Sequence, residues 1–329
     1  MPPGARRIVC SAPARANLIG NPSDQYGGST LGVSLAPRAW VALSEGRGDD
    51  RELPALATAV LAQLEVGTRG FGVSLATEIP RQSGIAGSTA LVVALTHAVL
   101  AWRGERLDPH ALAELARRVE RERLGVQCGF VDQYLCAFGG LRHVDLAAKG
   151  PDGEGAAFAT VEDLAPRARE LPFVVAYTGV RHSSDAVHRP LRERWLAGEP
   201  AVVSGYARIA ELGALGKEAL VRGDWPALGG WMNENHAIQR ALGGSGPANE
   251  ALIAVALAAG ALGAKLAGAG GGGTIVALSY EPERLEAALR EAGARALYRP
   301  VLAPGVQREP DDAILPPEAA MVPPDGGTP

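Results

Sequence analysis

The chain has 329 residues and a formal net charge of −4, a balance without the basic surface that a nucleic-acid partner requires. Apolar residues make up 47% and charged residues 21%, enough for a sizeable core and against wholesale disorder; a single core stops growing near ~250–300 residues, so two lobes are expected. The opening "MPPGARRIVC" lacks the apolar stretch of a signal peptide and no uninterrupted apolar run reaches the ~20 residues of a membrane span, so the expectations are no membrane partner and a cytoplasmic location.

In chain order, "RIVCSAPARANLIG", the turn-rich "NPSDQYGG" and "STLGVSLAPRAWVAL" read as strand, loop and strand. "GFGVSLATEIP" is a further strand candidate and leads into "PRQSGIAGSTALVVALTHAVL", where small residues precede an apolar helical run. The residues alone leave two readings of that junction open. It is either an ordinary loop capped by Ser88 or a helix start whose unpaired N–H groups face an anion.

"DPHALAELARRVERERLG" carries helix signals at both ends: Asp108 as cap, Pro109 in the first turn, Gly125 as the stop, and an apolar stripe of Leu112, Leu115 and Val119. Its run "RRVERERL" reads as a solvated face. The polar, Gly-rich "KGPDGEGA" and "LAPRARELP" set an expected boundary near residue 165, dividing lobes 1–165 and 166–303. Beyond it come the strand "FVVAYTGV", helices to about Ala261, a Gly-rich loop, the strand "TIVALSY", the helix "EPERLEAALREAGA" and the strand "ALYRPVL". Residues 304–329 read as a flexible Pro/Gly-rich tail.

Cys10, Cys128 and Cys136 make no disulfide framework and lack zinc spacing, so buried thiols are expected. "KLAGAGGGGTIVAL" fails as a dinucleotide fingerprint because it opens a strand rather than a helix, and GxxxxGK[ST] is absent. What remains is a loop that approaches another group closely, or a flexible connection. In the middle loop, Gly84, Ala86, Gly87, Ser88 and Thr89 would let N–H groups converge on a phosphate, and the Ser88 hydroxyl could reach a phosphate-bound Mg²⁺.

"PARANLIG", "PRQSGIAGSTA" and "KLAGAGGGG", in that order, resemble the small-molecule kinases of the galactokinase, homoserine kinase, mevalonate kinase and phosphomevalonate kinase (GHMP) family, over roughly Arg7 to Leu302. The resemblance implies a two-lobed α+β fold, with an N-terminal lobe like the second domain of ribosomal protein S5, a ferredoxin-like C-terminal lobe and the active site between them. It implies ATP with Mg²⁺, the phosphates lying on Gly84, Ile85, Ala86, Gly87, Ser88 and Thr89. "GVQCGFVDQYLCAFGG" looks like the galactokinase segment that supplies the catalytic aspartate, here Asp132. By motif position Arg15 is its guanidinium partner, and Glu120 with Ser88 would hold the magnesium.

Asn21 and Pro22 replace the Glu-His pair of galactokinases while Asp24 keeps the sugar-binding aspartate, which turns the expectation away from galactose. "GNPSDQYGG", "PRQSGIAGS" and "HRPLRERWLAGE" look like the glucuronokinases, which phosphorylate the anomeric hydroxyl of glucuronic acid. A sugar carboxylate would want a cation, for which Arg181, His182, His188 and Arg192 are candidates. The implied substrate set is Asn21, Ser23, Asp24, Asp132, Arg181, His182, Gly270 and Gly271. "MNENHAIQRAL" and "GALGAKLAGAGGGG" are similar instead to the heptose 7-phosphate kinases, which also act at the anomeric oxygen. A catalytically silent sensor is the alternative of another class; the presence of Arg15, Ser88, Glu120 and Asp132 favours an enzyme. No motif separates a monomer from a homodimer.

Overall fold

Two long strands organise the N-terminal half. β1 (Arg7–Ile19) and β2 (Ser29–Glu45) pair antiparallel, and β1 is buried on both faces almost throughout, so its pattern is continuous rather than alternating. The computed structural model describes residues 6–45, 53–67, 71–151, 153–168, 170–181 and 184–317. After β2 come α1 (Ala55–Gln63), β3 (Phe71–Thr77), α2 (Gly87–Arg103), α3 (Pro109–Arg118), α4 (Val131–Phe138), β4 (Leu141–Asp145) and β5 (Thr160–Asp163). The second half holds β6 (Phe173–Tyr177), α5 (Ser184–Leu196), α6 (Pro200–Arg222), α7 (Trp225–Ala241), α8 (Pro247–Ala258), β7 (Gly263–Leu266), β8 (Thr274–Leu278), α9 (Pro282–Glu291), β9 (Ala296–Tyr298) and β10 (Gln307–Glu309).

The fold is α+β with two lobes. One antiparallel sheet runs β10-β1-β2-β4-β5 with β3 also paired to β2; the other runs β7-β8-β6-β9, again antiparallel. Period-two alternation splits the second sheet between two cores. Phe173, Val175, Val276 and Leu278 face the main core with Leu212, Leu228 and Met232 of α6 and α7, whereas Val174, Ala176, Ile275 and Ala277 pack on Leu252, Ile253, Leu285 and Leu289 of α8 and α9. The almost wholly apolar α2 is buried along its length in the main core, which fixes its N-terminus.

Asp108 caps α3, accepting from the His110 and Ala111 amides at 2.9 and 3.2 Å. Other readings need correction. The helix after α3 widens into a π-helical turn, Val119–Arg123, closed by the Leu124 N–H to the Val119 carbonyl. Arg118, Glu122 and Arg123 stay exposed, but Arg117 and Glu120 turn inward, so "RRVERERL" is only partly a solvated face. The Gly-rich loop begins later than expected, because "GAKL" is the strand β7. The stretch from residue 304, read as a loose tail, supplies β10, whose Gln307, Arg308 and Glu309 pair with Ser11, Cys10 and Val9 at the sheet edge. Cys128 is half-buried rather than core.

Candidate active site

β1 is the scaffold of the site. Irregularities in its pairing with β2 between Pro13 and Arg15 and between Asn17 and Ile19 accompany contacts to two loops. The Arg15 N–H donates to the Ile85 carbonyl and the Asn17 N–H to the Ala267 carbonyl, both at 3.2 Å. The two glycine loops also touch directly: Thr274 Oγ1 donates to the Ser83 carbonyl at 2.6 Å, and a Cβ on Gly268 would stand 2.6 Å from the Gly84 carbonyl oxygen. Of the two open readings of the third motif, close approach holds at Gly268.

The middle loop turns into α2 through Ala86, at φ +64°, which offers the helix no side-chain cap. Ser88 is not the cap; it lies inside the first turn and is exposed. Gly87, Ser88 and Thr89 line a cleft of about 410 Å³, so uncapped amides and the positive end of a long helix border it.

Across the cleft stands Asp132, in the first turn of α4. Arg15 grips it bidentately, Nε to Oδ1 at 2.7 Å and Nη2 to Oδ2 at 2.6 Å, while Nη1 donates to the Gly84 carbonyl at 2.8 Å. Burial alone would lower the Arg15 pKa, but the charge and hydrogen bonds of Asp132 more than offset it and the net direction is upward. Phe130 gives α4 no side-chain cap; Asp24 Oδ2 does so from a distance, accepting from the Phe130 and Val131 amides at 2.8 and 3.2 Å.

Glu120 is buried on the same side. Its Oε1 accepts from Thr89 Oγ1 at 2.9 Å and its Oε2 from Gln133 Nε2. Burial is the main cause that pushes its pKa up to about 7, with those two hydrogen bonds pulling the other way. The widened turn aims Glu120 inward, and Glu120 and Ser88 line one cleft. A carboxylate, a hydroxyl and nucleotide phosphates are hard oxygen donors of the kind Mg²⁺ takes, and a buried carboxylate without an ion pair among the described residues suits a cation. The residues fit the ion.

Two family models match the chain: "GHMP kinases N terminal domain" over residues 54–140 and "GHMP kinases C terminal" over residues 217–298. This chain belongs to the GHMP kinase family. The GHMP fold is seen in the Lactococcus lactis galactokinase complexed with galactose, at a TM-score of 0.75 and 17% identity over 92% of this chain and 95% of that one. In sequence, the mevalonate kinase of Thermococcus onnurineus is 30% identical over 92% of this chain and 98% of its own length. The probable glucuronokinase 2 of Arabidopsis thaliana is 32% identical over 63% of this chain, a match spanning 57% of that protein. The chain thus matches little more than half the length of the glucuronokinases.

Within this GHMP cleft, Arg15, Gly84, Ala86, Gly87, Ser88, Thr89, Glu120 and Asp132 come together, while Ile85 is buried behind them with its carbonyl on the Arg15 amide. The expected substrate set divides. Asn21 and Asp24 line the cleft, although Asn21 is engaged by its Nδ2 on the Gly268 carbonyl at 3.1 Å and by Lys265 on its Oδ1. Ser23 does not reach it: the fully buried hydroxyl donates to the Gly20 carbonyl at 2.7 Å. Gly270 and Gly271 are also displaced from it, since a Cβ on Gly270 would overlap the Gly244 carbonyl and one on Gly271 would lie 2.9 Å from Val187 Cγ2; Gly268 and Ala269 line the cleft instead. Arg181 lines a neighbouring cavity, Arg192 stacks on Trp195 and Tyr26 at 4.8 and 5.5 Å, and His182 lies outside the described residues.

Sequence reasoning missed three supports. Gln133 and the hydroxyl of Thr89 hold Glu120, and the wholly buried Lys265 donates to Asn21 Oδ1 and the Leu266 carbonyl, both at 2.5 Å. Burial, then the charge of Arg15, drives the Lys265 pKa well below the usual lysine range. A lone lysine in the apolar "GAKLAGAG" was the signal available.

Proposed function

We propose that this chain transfers the terminal phosphoryl group of ATP to a hydroxyl of a small substrate, and that the acceptor is the anomeric hydroxyl of a sugar, glucuronate first. The observation that carries the reading is the Arg15–Asp132 pair facing the uncapped start of α2 across one cleft. Phosphates bind the amides of Gly87, Ser88 and Thr89. Asp132 accepts or orients the proton of the attacking hydroxyl, and the bidentate grip of Arg15 keeps that carboxylate aimed. Glu120 and Ser88 would hold Mg²⁺, which supplies charge neutralisation at the phosphates. A second cavity of about 430 Å³ shares Gln82, Gly87 and Ser88 with the cleft and is walled by Leu75, Ile79, Pro80 and Leu91, apolar surface suited to a nucleobase.

Glucuronate is favoured over other acceptors by the likeness to glucuronokinases. The test is ADP release with Mg²⁺ and ATP against glucuronate, galacturonate, glucose, galactose, mevalonate and a heptose 7-phosphate, with the position of phosphate read by phosphorus NMR. Turnover on glucuronate with phosphate on the anomeric oxygen is expected. Preference for the heptose phosphate or for mevalonate would keep the transfer and replace the substrate, and ATP binding without turnover on any acceptor would favour a silent sensor.

A further inference from the structure

Among the described residues lining the cleft, the basic side chains are Arg15 and His188, set against Asp24, Glu120, Asp132 and Asp185. Arg15 is committed to Asp132 and the Gly84 carbonyl. Asp185 is equally engaged, by Arg189 at 2.9 Å and by the Gln127 amide at 3.1 Å. The His188 imidazole makes no hydrogen bond within the described residues, yet it is half-buried and within electrostatic reach of Asp24, Asp132, Arg15 and Asp185.

Its position is built. Asp185 ties the first turn of α5 to the loop before α4, and Val187 seats on Gly271, where a side chain would crowd it. His188, three residues after Asp185, shares its helix face, and both line the cleft that holds Asp24 and Asp132. A half-buried imidazole that lines the cleft with no hydrogen bond of its own leaves its N–H available to a ligand. An anionic substituent entering among three aspartates needs a donor facing it, and His188 offers an N–H in either protonation state.

We propose that His188 is the specificity-determining contact of this cleft and that the acceptor is a hydroxy acid, its carboxylate accepting an N–H from His188 while its hydroxyl meets Asp132. The proposal rests on the phosphoryl-transfer reading of the same cleft. Two sources share that chemistry, a sugar acid and a branched-chain hydroxy acid, represented by glucuronate and mevalonate.

The experiment compares kcat/KM for glucuronate, mevalonate and the primary amide of each, its uncharged counterpart, in the wild-type protein, His188→Leu and His188→Gln. The wild type is expected to prefer the acid it turns over to that acid's own amide by about tenfold or more, the scale of one charge-assisted hydrogen bond. His188→Leu should collapse that preference without changing the KM for ATP, and His188→Gln, which keeps an N–H donor, should restore part of it. Equal loss on acid and amide, or no preference in the wild type, overturns the role of His188. Should the wild type transfer phosphate to none of these nor to any other acceptor of the panel, the transfer reading fails, and calorimetry with a non-hydrolysable ATP analogue decides His188 separately. Acid binding that His188→Leu abolishes would retain it; binding that is unchanged, or absent from the wild type, would overturn it.

Discussion

Glu120 and Asp132 are two carboxylates in one cleft with opposite provisions: Asp132 has a bidentate guanidinium, whereas Glu120 has only hydrogen bonds from Thr89 and Gln133. The folded-state pKa of Glu120 is raised from its ordinary 4.5 to about 7, so between those values the folded protein binds more protons than the unfolded one. Metal-free protein should therefore lose stability as pH rises from about 4.5 to about 7, by on the order of 3 kcal/mol. The Mg²⁺ proposed here needs the ionised form, so the requirement for it should rise as pH falls below about 7. Melting midpoints across pH with and without Mg²⁺ check both; a flat profile would contradict them. Asp132→Asn should leave ATP binding nearly intact and lower turnover by about two orders of magnitude. Neither the burial of Glu120 nor the support of Gln133 was legible locally. "RRVERERL" is rich in charge, and only the tertiary position of the widened turn decides which of its residues face inward.

At the level of elements, α4 depends on a residue far away in sequence. Asp24 Oδ2 holds two of its N-terminal amides, and a Cβ on Gly129 would overlap that carboxylate. Asp24→Ala should therefore destabilise the protein by about 1–3 kcal/mol, beyond any effect on substrate, because it leaves buried amides unpaired. A denaturation midpoint unchanged by the substitution would confine Asp24 to the substrate. Gly268→Ala should push the two glycine loops apart and raise the KM for ATP, since its Cβ would sit 2.6 Å from the Gly84 carbonyl oxygen; an unchanged KM would refute that coupling. The strands and helices with strong periodicity were readable, including the Asp108 cap. β7 was not, because "GAKL" contains no β-branched residue and becomes a strand only by pairing with β8. Gly270 and Gly271 were recognised as glycines with a purpose, but their neighbours Gly244 and Val187 come from other elements, which no spacing rule reveals.

Across the whole molecule, the last described strand closes the sheet that carries the site. Arg38 Nη1 and Nη2 donate to the Pro304 and Gly305 carbonyls at 2.9 and 2.8 Å, while its Nε donates to Ser11 Oγ at 2.7 Å, so the segment before β10 is clamped onto β1. A chain ending at residue 303 should show a lower denaturation midpoint and reduced turnover, since β1 also positions Arg15; unchanged values would make β10 dispensable. Pro and Gly content hid this strand, which exists because β1 leaves an edge to pair. The three motifs that pointed to phosphoryl transfer were legible in order, and β1 brings them to one cleft through the Arg15 and Asn17 amides. The most direct test of that convergence is a single-turnover experiment with protein in excess over terminally labelled ATP, with Mg²⁺ and each acceptor of the panel in turn, glucuronate first. Label transferred to the acceptor, and transferred at least about a hundredfold more slowly by Asp132→Asn, is the predicted result; label that stays on ATP or appears only as free phosphate would contradict it.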